Sequence, residues 1–530
     1  MAIADIFKDR AKSENWQLTD AGKLSQNMTV EADVIIIGTG AGGGVSAEVL
    51  SQAGLKVVMI EEGGLYTSDN FNMDELDAYG TLYQEGAGRA TKDGAISIFQ
   101  GRAVGGTTVV NWTSSFRTPT PTLDHWQKHH NVQGFSSEEM APYFDQMEKR
   151  LNVSKWAMPP NANNDILKQG CQAHDWSWAV IPRNVKGCMD LGYCGMGCPA
   201  NAKQSMLVTT VPEALKNNAE LFYRCSADRL VFSDHKVDSV ECLAIGEDGQ
   251  TPTGVKLTFK APHIVLSGGA INNPGLLLRS NAPDPHERIG KRTMIHPVNA
   301  SLARMDQKTN PFYGAPQSIY SDHFQWQTQG DMGFKLEVPP MQPVMGAQIM
   351  GLHGFKLADT LQDLSTMQST IALMRDGFHE ESVGGTVELD HGGKPVLDYP
   401  ITDYMWKGLR KAHHKMAELQ FAAGAKSVMP LHHDANFYSN LKDCQQAIDT
   451  LPAELHRHRL LTAHLMGGCS MGEDAKESVV NSQGRFHHID NLYVIDGSVF
   501  PTSIGANPQL SIYALALKQA SALVKTIKQA

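Results

Sequence analysis

The sequence lacks the features that mark membrane-spanning, nucleic-acid-binding or disulfide-stabilised proteins. No stretch approaches the roughly 20 apolar residues of a membrane span, and the N-terminal residues mix charged and apolar side chains, unlike a secretory signal. The net charge of -10 makes nucleic acid an unexpected partner. Eight cysteines in 530 residues are too few for a disulfide framework. These absences favour a cytoplasmic location, and leave open peripheral membrane association or export alongside a signal-bearing partner.

The composition is that of a globular chain with a large core. Hydrophobic residues make up 42% and charged residues 19% of the chain, and the mean hydropathy is -0.28. A chain of 530 residues is too long for one simple core, so two or more structural units are expected. No internal repeat or low-complexity linker divides the sequence, so its organisation has to be taken from its motifs.

The clearest local pattern is a strand–turn–helix–strand unit near the N-terminus. The run ADVIII at 32–37 predicts a buried parallel strand that ends at a glycine. The run VSAEVLSQAG predicts a helix that ends at Gly54, and LKVVMIEEG predicts a second strand. This order within about 30 residues is that of a dinucleotide-binding unit.

The turn of this unit carries the expected glycine spacing. Gly38, Gly40 and Gly43 form GxGxxG. Gly38 allows the tight turn, Gly40 lets a pyrophosphate approach the backbone, and Gly43 lets helix and strand pack closely. The helix N-terminus then offers unpaired N–H groups to the phosphates. Glu61, at the end of the second strand, can accept hydrogen bonds from a ribose diol. The turn alone does not distinguish FAD from NAD.

Three later segments resemble one enzyme family. The runs GRAVGGTTVVNW and SGGAINNPGLLLRSN are similar to the two signatures of the glucose–methanol–choline oxidoreductases. The C-terminal runs AHLMGGCSMG and NLYVIDGSVFPTSIGANPQLSIYALA resemble the family still more closely. The second signature departs at Asn273 and Asn281, where the family has a hydroxyl residue and glycine. The resemblance covers nearly the whole chain and implies FAD as the cofactor.

The resemblance also implies a fold. We expect an α/β, Rossmann-like FAD-binding domain assembled from discontinuous segments, with an α+β substrate domain that contains an antiparallel sheet. The expected FAD-binding segments are residues 1–118, 191–299 and 456–530. Residues 119–190 are expected to form a substrate or cap segment, and residues 300–455 the substrate-binding domain.

The family's cofactor positions correspond to individual residues of this sequence. Asp496, in the run IDGS, is expected to contact the cofactor. The loop that lies along the flavin in the family supplies the other candidates, which are Arg102, Gly105, Gly106, Thr107 and Asn111. Some relatives attach the flavin covalently through a histidine at the position occupied here by Val110. Non-covalent FAD is therefore expected.

The resemblance places a catalytic pair at His464 and Asn507. Oxidation of an alcohol removes a hydride, which the flavin N5 accepts, and a proton, for which imidazole is a suitable base. The amide of Asn507 can hold the oxygen as negative charge develops, and Pro508 fixes the backbone beside it. We interpret the paired histidines at 413, 414, 432, 433, 487 and 488 as solvated or structural.

One cysteine-containing motif leaves the chemistry open. Cys188, Cys194 and Cys198 have the spacing C-x5-C-x3-C. The large subunits of FAD-dependent glucose dehydrogenases hold an iron–sulfur cluster on cysteines of this spacing. Long-chain alcohol oxidases and dehydrogenases instead continue a cysteine-rich stretch into a run like AKQS, which here is Ala202–Ser205. A disulfide or inert thiols near the flavin are the alternative, and we expect no iron.

The sequence also favours one class of substrate. Met332, Met341, Met345 and Met350 suit an adaptable apolar pocket, although ordinary core packing gives the same pattern. The AKQS and AHLMGGCSMG runs resemble enzymes for long-chain or bulky apolar alcohols. A sugar dehydrogenase subunit, a lyase of the same fold and a flavin-bearing binding protein are the alternatives. The electron acceptor (quinone, cytochrome or oxygen) is left open, and a dehydrogenase is favoured over an oxidase.

Overall fold

The computed structural model describes residues 4–326 and 330–529. Within these residues the α-helices are α1 (Ile6–Ser13), α2 (Ala41–Gln52), α3 (Glu75–Leu82), α4 (Thr120–His130), α5 (Ser137–Arg150), α6 (Ala162–Ala173), α7 (Thr210–Lys216), α8 (Gly269–Arg279), α9 (Pro343–Met350), α10 (Gly354–Gln362), α11 (Asp403–Ala422), α12 (Leu441–Thr450) and α13 (Gln509–Gln529).

The strands, in the same residues, are β1 (Gln17–Asp20), β2 (Met28–Glu31), β3 (Val34–Ile37), β4 (Val57–Glu61), β5 (Ile96–Ile98), β6 (Val153–Lys155), β7 (Ala179–Val180), β8 (Pro182–Asn184), β9 (Glu220–Tyr223), β10 (Cys225–Ser233), β11 (Lys236–Ile245), β12 (Pro252–Lys260), β13 (His263–Leu266), β14 (Thr293–Ile295), β15 (Val298–Arg304), β16 (Ile319–Ser321), β17 (Phe334–Glu337), β18 (Met367–Met374), β19 (Thr386–Leu389), β20 (Pro395–Asp398), β21 (Ser427–Pro430), β22 (Leu460–Thr462), β23 (Leu465–Gly467) and β24 (Leu492–Val494).

A six-stranded parallel sheet forms the nucleotide-binding half of the fold. Its strand order is β1-β9-β4-β3-β13-β24, and each neighbouring pair is parallel. Every residue of β3 and β4 is buried, which explains why both strands are continuous apolar runs. The strands come from the start, middle and end of the chain, so the expected discontinuous Rossmann-like α/β domain is confirmed.

The remaining sheets are mainly antiparallel. Strands β10, β11 and β12 form an antiparallel meander, with β2 added parallel to β12. A larger sheet has the order β5-β22-β15-β18-β17-β16-β7, and β21 also pairs with β15. Helix α11 packs on β15 and β18 of this sheet. The larger sheet is the expected antiparallel sheet of the substrate domain, and it also takes in β5, β7 and β22 from outside residues 300–455.

The two halves enclose one large cavity of about 890 Å³. Its nucleotide end lies at the carboxyl ends of β3 and β4, where ligands of parallel sheets usually bind. Its other end is bordered by β15 and β18 of the larger sheet. Among the described residues, no helix is both long and apolar enough to cross a membrane.

Candidate active site

The first glycine turn has the geometry that its spacing predicts. Gly38 ends β3 with φ of 99°, a conformation that strongly favours glycine. A Cβ atom on Gly43 would lie 1.9 Å from the carbonyl oxygen of Gly38, so helix α2 packs against the turn only because this residue is glycine. Gly40 caps α2, and the start of the helix borders the cavity.

Glu61 holds this turn in place. One carboxylate oxygen accepts hydrogen bonds from the Thr39 backbone N–H (3.1 Å) and hydroxyl (2.6 Å). The other accepts from the N–H of Gly63 at 2.9 Å. The Thr39 hydroxyl oxygen in turn accepts from the N–H of Gly105 at 2.9 Å. Burial raises the pKa of Glu61. Thr39 connects the first glycine turn to the second glycine loop, although no motif in the sequence marks it as a site residue.

The second glycine loop lies directly against the first. Gly105 and Gly106 have φ of 96° and 56°. A Cβ atom on Gly106 would lie 2.7 Å from the Cα atom of Gly40, so the two loops form one close wall. The Thr107 hydroxyl oxygen accepts a hydrogen bond from the N–H of Gly101 at 3.0 Å, which closes the base of the loop.

Arg102 lies at the rim of the cavity. Its guanidinium group donates a hydrogen bond to the carbonyl of Gly249, in the turn between β11 and β12, and lies 3.7 Å from a Glu62 carboxylate oxygen. All three residues line the cavity. Arg102 therefore holds the β11–β12 turn over the nucleotide end of the cavity.

Asn111 and Asp496 line the cavity but bond mainly to protein groups. The Asn111 amide donates to the side-chain oxygen of Gln509 at 2.7 Å. The Asp496 carboxylate accepts from the N–H of Gly269 (2.7 Å) and from the amide of Asn273 (2.9 Å). Asn273, where the sequence departs from the family signature, thus anchors Asp496. The arrangement places both predicted cofactor residues beside the cavity with their orientations fixed.

His464 faces the cavity and is paired with a second histidine that the sequence analysis did not identify. Its Nδ1 lies 2.9 Å from Nδ1 of His296, and the N–H of Gly505 donates to Nε2 of His296 at 3.2 Å. His296 therefore carries its proton on Nδ1 and donates to His464. In this state the neutral His464 ring has its proton on Nε2, the nitrogen left for the cavity. Burial and, to a smaller extent, the charge of Lys335 lower the pKa of His464 to about 3.

Asn507 is held by a buried carboxylate. Its Nδ2 donates to Glu337 at 3.1 Å, and the same carboxylate oxygen accepts from Gln317 at 2.8 Å. A carboxylate accepts but does not donate, so Glu337 fixes which end of the Asn507 amide faces it. The Asn507 Oδ1 atom is buried and has no protein partner among the described residues. The Nδ2 hydrogen that Glu337 does not use is the group of this amide left to donate to a ligand.

Glu337 is itself one half of a buried ion pair. The Lys335 ammonium lies 3.2 Å from the Glu337 carboxylate, and both side chains are almost fully buried. The ammonium also lies 3.0 Å from the centre of the Phe116 ring, a cation–π contact. Burial lowers the pKa of Lys335 to about 8, although the charge of Glu337 opposes this shift. No sequence motif marked Lys335 or Glu337, because strand β17 reads only as an ordinary buried strand.

Part of the wall of the same cavity is apolar, and we call this part the apolar branch. Alternate residues of β15 point into it because side chains two apart share one face of a strand. The apolar residues that line it are Val298, Ala300, Leu302, Met341, Met345, Ile349, Met350, Ile371, Leu373, Leu431 and Leu461. Three of the four methionines noted in the sequence are in this wall. Met332 is not, since it packs in a separate core against Gly408.

The cysteine motif forms a loop beside the flavin-facing segment. Cys188, Cys194 and Cys198 are free thiols of intermediate exposure. Among the described residues, which include all three, no group of three or more potential ligands is placed to hold a metal ion. The expectation that iron is absent stays a prediction, which metal analysis of anaerobically purified protein would test.

The residues that border the cavity fit FAD. Gly40 and Gly106 have no side chains, so a pyrophosphate or a flat ring can approach the backbone of this wall closely. One cavity is bordered both by Glu61, where the sequence predicts the ribose, and by His464 and Asn507. At that end the Asn507 amide borders the cavity next to the place expected for the reacting group, and its Oδ1 has no protein partner among the described residues.

Comparison with known proteins agrees with this arrangement. The N- and C-terminal models of the GMC oxidoreductase family match residues 79–298 and 380–516. A GMC-type oxidoreductase of Mycobacterium tuberculosis is 30% identical over 501 residues, which cover 94% of this chain and 76% of the relative. A long-chain-alcohol oxidase of Arabidopsis thaliana is 27% identical over 523 residues, covering 94% of this chain and 67% of the plant protein.

Solved structures give the same fold. A formate oxidase from Aspergillus oryzae superposes with a TM-score of 0.71 at 16% identity, covering 96% of this chain and all of the other. A pyridoxine 4-oxidase from Mesorbium loti has a TM-score of 0.67 at 16% identity and covers 92% of this chain and 98% of the other. The two family matches, together with the relatives' identity and coverage, show that the chain belongs to the GMC oxidoreductase family and is an FAD-dependent oxidoreductase.

Proposed function

We propose that the protein oxidises a long-chain or bulky apolar alcohol to an aldehyde or ketone. The observation that carries the proposal is the position of His464 and Asn507 at the junction between the nucleotide cavity and an apolar branch. When bound there, FAD supplies the hydride acceptor at N5. Val110, at the position of the covalent histidine in some relatives, has no group that could form a bond to the flavin, so we propose non-covalent attachment.

In this proposal Asn507 and His464 bind the hydroxyl group of the alcohol. The Asn507 amide N–H that Glu337 does not use is available to the alcohol oxygen as negative charge develops, and the alcohol O–H faces Nε2 of His464, which accepts its proton. Because Glu337 holds Nδ2, this orientation exists before the substrate arrives. Preorganised contacts of this type lower the barrier more than contacts formed during the reaction.

His464 is the proposed base, and its tautomer depends on His296. In the resting arrangement Nε2 of His464 carries a proton and can donate to the alcohol oxygen. To accept the alcohol proton at Nε2, His464 must instead carry its proton on Nδ1 and donate it to His296. The hydrogen bond between the two histidines runs in opposite directions in these two states. In the state in which His464 can act as a base, His296 carries its proton on Nε2 and no longer accepts the hydrogen bond from Gly505. We propose that His296 sets this balance and so positions His464 for proton transfer.

The apolar branch supports the substrate class. Among the described residues its walls offer mainly alkyl and thioether groups, with the Ser369 hydroxyl on the same face of β18 as Ile371 and Leu373, and burial of each methylene there contributes about 0.8 kcal/mol. The identity of an Arabidopsis relative as a long-chain-alcohol oxidase is consistent with this reading. A sugar would leave its hydroxyl groups without partners in such a branch.

The proposal is tested by mixing the flavoprotein with alcohols in the absence of oxygen. Primary alcohols of increasing chain length should bleach the flavin spectrum, with the fastest bleaching for long chains. His464→Ala should slow bleaching by roughly 10²–10⁴-fold at unchanged FAD content. If no primary alcohol or sterol bleaches the flavin, or if a sugar does so best, the proposed substrate class is wrong. Turnover of His464→Ala within about threefold of the unaltered protein would remove His464 as the base.

We further propose that the enzyme is a dehydrogenase. Peroxide formation and dye reduction, measured in the same preparation with the best alcohol, separate this from an oxidase. Peroxide equal in amount to the alcohol oxidised in air would contradict the proposal.

A further inference from the structure

The AKQS run contains a buried cation that the proposed reaction does not use. Lys203 is only 2% exposed and forms no salt bridge with a carboxylate among the described residues. Its ammonium group donates to three backbone carbonyls, those of Val109 (2.6 Å), Asn111 (2.7 Å) and Cys194 (2.5 Å). Burial of an ammonium group is costly unless each of its hydrogens finds an acceptor. Here the three hydrogens have three acceptors.

Two of these carbonyls flank a short segment of the cavity wall. They lie on either side of Val110, and Val110 and Asn111 both line the cavity. Bonds from one ammonium group to both carbonyls fix the backbone at each end of this short segment. The position of the Val110 side chain and the start of the Asn111 side chain are therefore determined by Lys203.

The third carbonyl attaches the cysteine loop to the same point. The loop is also held by the hydroxyl of Tyr83, another residue that lines the cavity, which donates to the carbonyl of Gly195 at 2.6 Å. The cysteine loop is thus connected to cavity-lining residues at two neighbouring positions, directly at 195 through Tyr83 and at 194 through Lys203. It forms the outer support of the flavin-facing wall.

We propose that Lys203 is a positioning residue for the flavin, which holds segment 109–111 against the support of the cysteine loop so that the cavity wall is formed before FAD binds. This assignment gives a role to the AKQS lysine and to the cysteine loop without a metal. It concerns the cofactor alone, so it does not depend on which alcohol is oxidised. Burial lowers the pKa of Lys203 to about 8, so the ammonium form that makes all three bonds predominates at neutral pH.

The test compares three variants of the full-length protein. Lys203→Met keeps the length of the side chain but removes the donors, Lys203→Arg keeps a cation, and Lys186→Met changes an exposed lysine near the same loop. FAD affinity is measured by fluorescence titration of deflavinated protein, and visible circular dichroism at saturating FAD reports the surroundings of the bound ring. Thermal unfolding of the FAD-free variants measures stability separately.

We expect Lys203→Met to weaken FAD binding by about 10- to 100-fold, the scale of lost charge-assisted hydrogen bonds. Its visible circular dichroism should also change, Lys203→Arg should recover part of the affinity, and Lys186→Met should match the unaltered protein. FAD affinity within about threefold of normal, with an unchanged spectrum, would overturn the proposal even if the variant unfolds at lower temperature.

A second measurement uses the unaltered protein, so it tests the proposal even if Lys203→Met fails to fold. FAD should slow the alkylation of Cys194 and Cys198 by a small thiol reagent, because the bound cofactor stabilises the wall to which their loop is attached. Peptide mapping with and without FAD gives the rate at each cysteine. Equal rates at both cysteines in the two states would show that the loop and the FAD site are not connected.

Discussion

The apolar branch allows a quantitative prediction about chain length. Val298 pairs with Leu461, three residues before His464, so the β15 wall begins near the catalytic pair. From Val298 to Leu302 the strand advances by about 13 Å at roughly 3.3 Å per residue. Ala300 lies midway along this wall and its small side chain faces the branch. A larger side chain there should block the outer part of the branch and leave the inner part open.

We therefore expect Ala300→Phe to change specificity for chain length. If the ring excludes three to four methylenes at about 0.8 kcal/mol each, kcat/KM for a long-chain alcohol should fall by about 100-fold. An alcohol short enough to end before residue 300 should lose less than about threefold. Ala300→Val is the matched control, because it adds less volume at the same position and should give an intermediate loss.

The assay is anaerobic flavin reduction across a series of primary alcohols, with thermal unfolding of each variant measured in parallel. The slope of log kcat/KM against chain length should be unchanged for short alcohols and flat beyond the block. An equal loss for short and long alcohols would show that the ring disturbs the catalytic pair instead. An unchanged series would show that the substrate chain does not occupy this branch.

Three further predictions concern the polar groups. Glu337→Gln should slow flavin reduction about tenfold, because a glutamine side chain no longer fixes the Asn507 amide. It should have no added effect in an Asn507→Ala background. Additive losses in the double variant would show that Glu337 does not act through Asn507. The His464 base is active when neutral, so its contribution is lost only as pH falls through its pKa of about 3. A plot of kcat/KM against pH should therefore show no titration of an imidazole near pH 6.5. In the double variant Lys335→Met/Glu337→Gln, the pH at which activity is lost should be higher, because the Lys335 charge no longer lowers the pKa of His464. Glu61→Ala should weaken FAD binding by about 10-fold or more, with Glu61→Gln closer to normal, as a spin-column assay of retained FAD would show; full retention in Glu61→Ala would leave Glu61 without a role in the cofactor site.

Much of the nucleotide-binding half could be predicted from local sequence. The run at 32–37, the GxGxxG turn and the helix after it depend on interactions between near neighbours, namely burial of a short strand, a positive φ at Gly38 and close packing at Gly43. Helix α13 and the strands of the β10–β12 meander likewise follow local patterns of hydrophobic residues. Family motifs then identified His464 and Asn507, which no periodicity could have distinguished from the other histidines and asparagines.

The partners of those residues were decided by tertiary structure alone. His296 meets His464 across 168 positions, and Glu337 meets Asn507 across 170, so neither pair leaves a local trace in the sequence. The hydrogen bonds of Lys203 also join distant parts of the chain, since their acceptors are the carbonyls of residues 109, 111 and 194. A sequence motif records which side chains a site contains, but the charge, tautomer and orientation of each depend on the groups that folding brings within hydrogen-bond distance, and these come from strands and loops far apart along the chain.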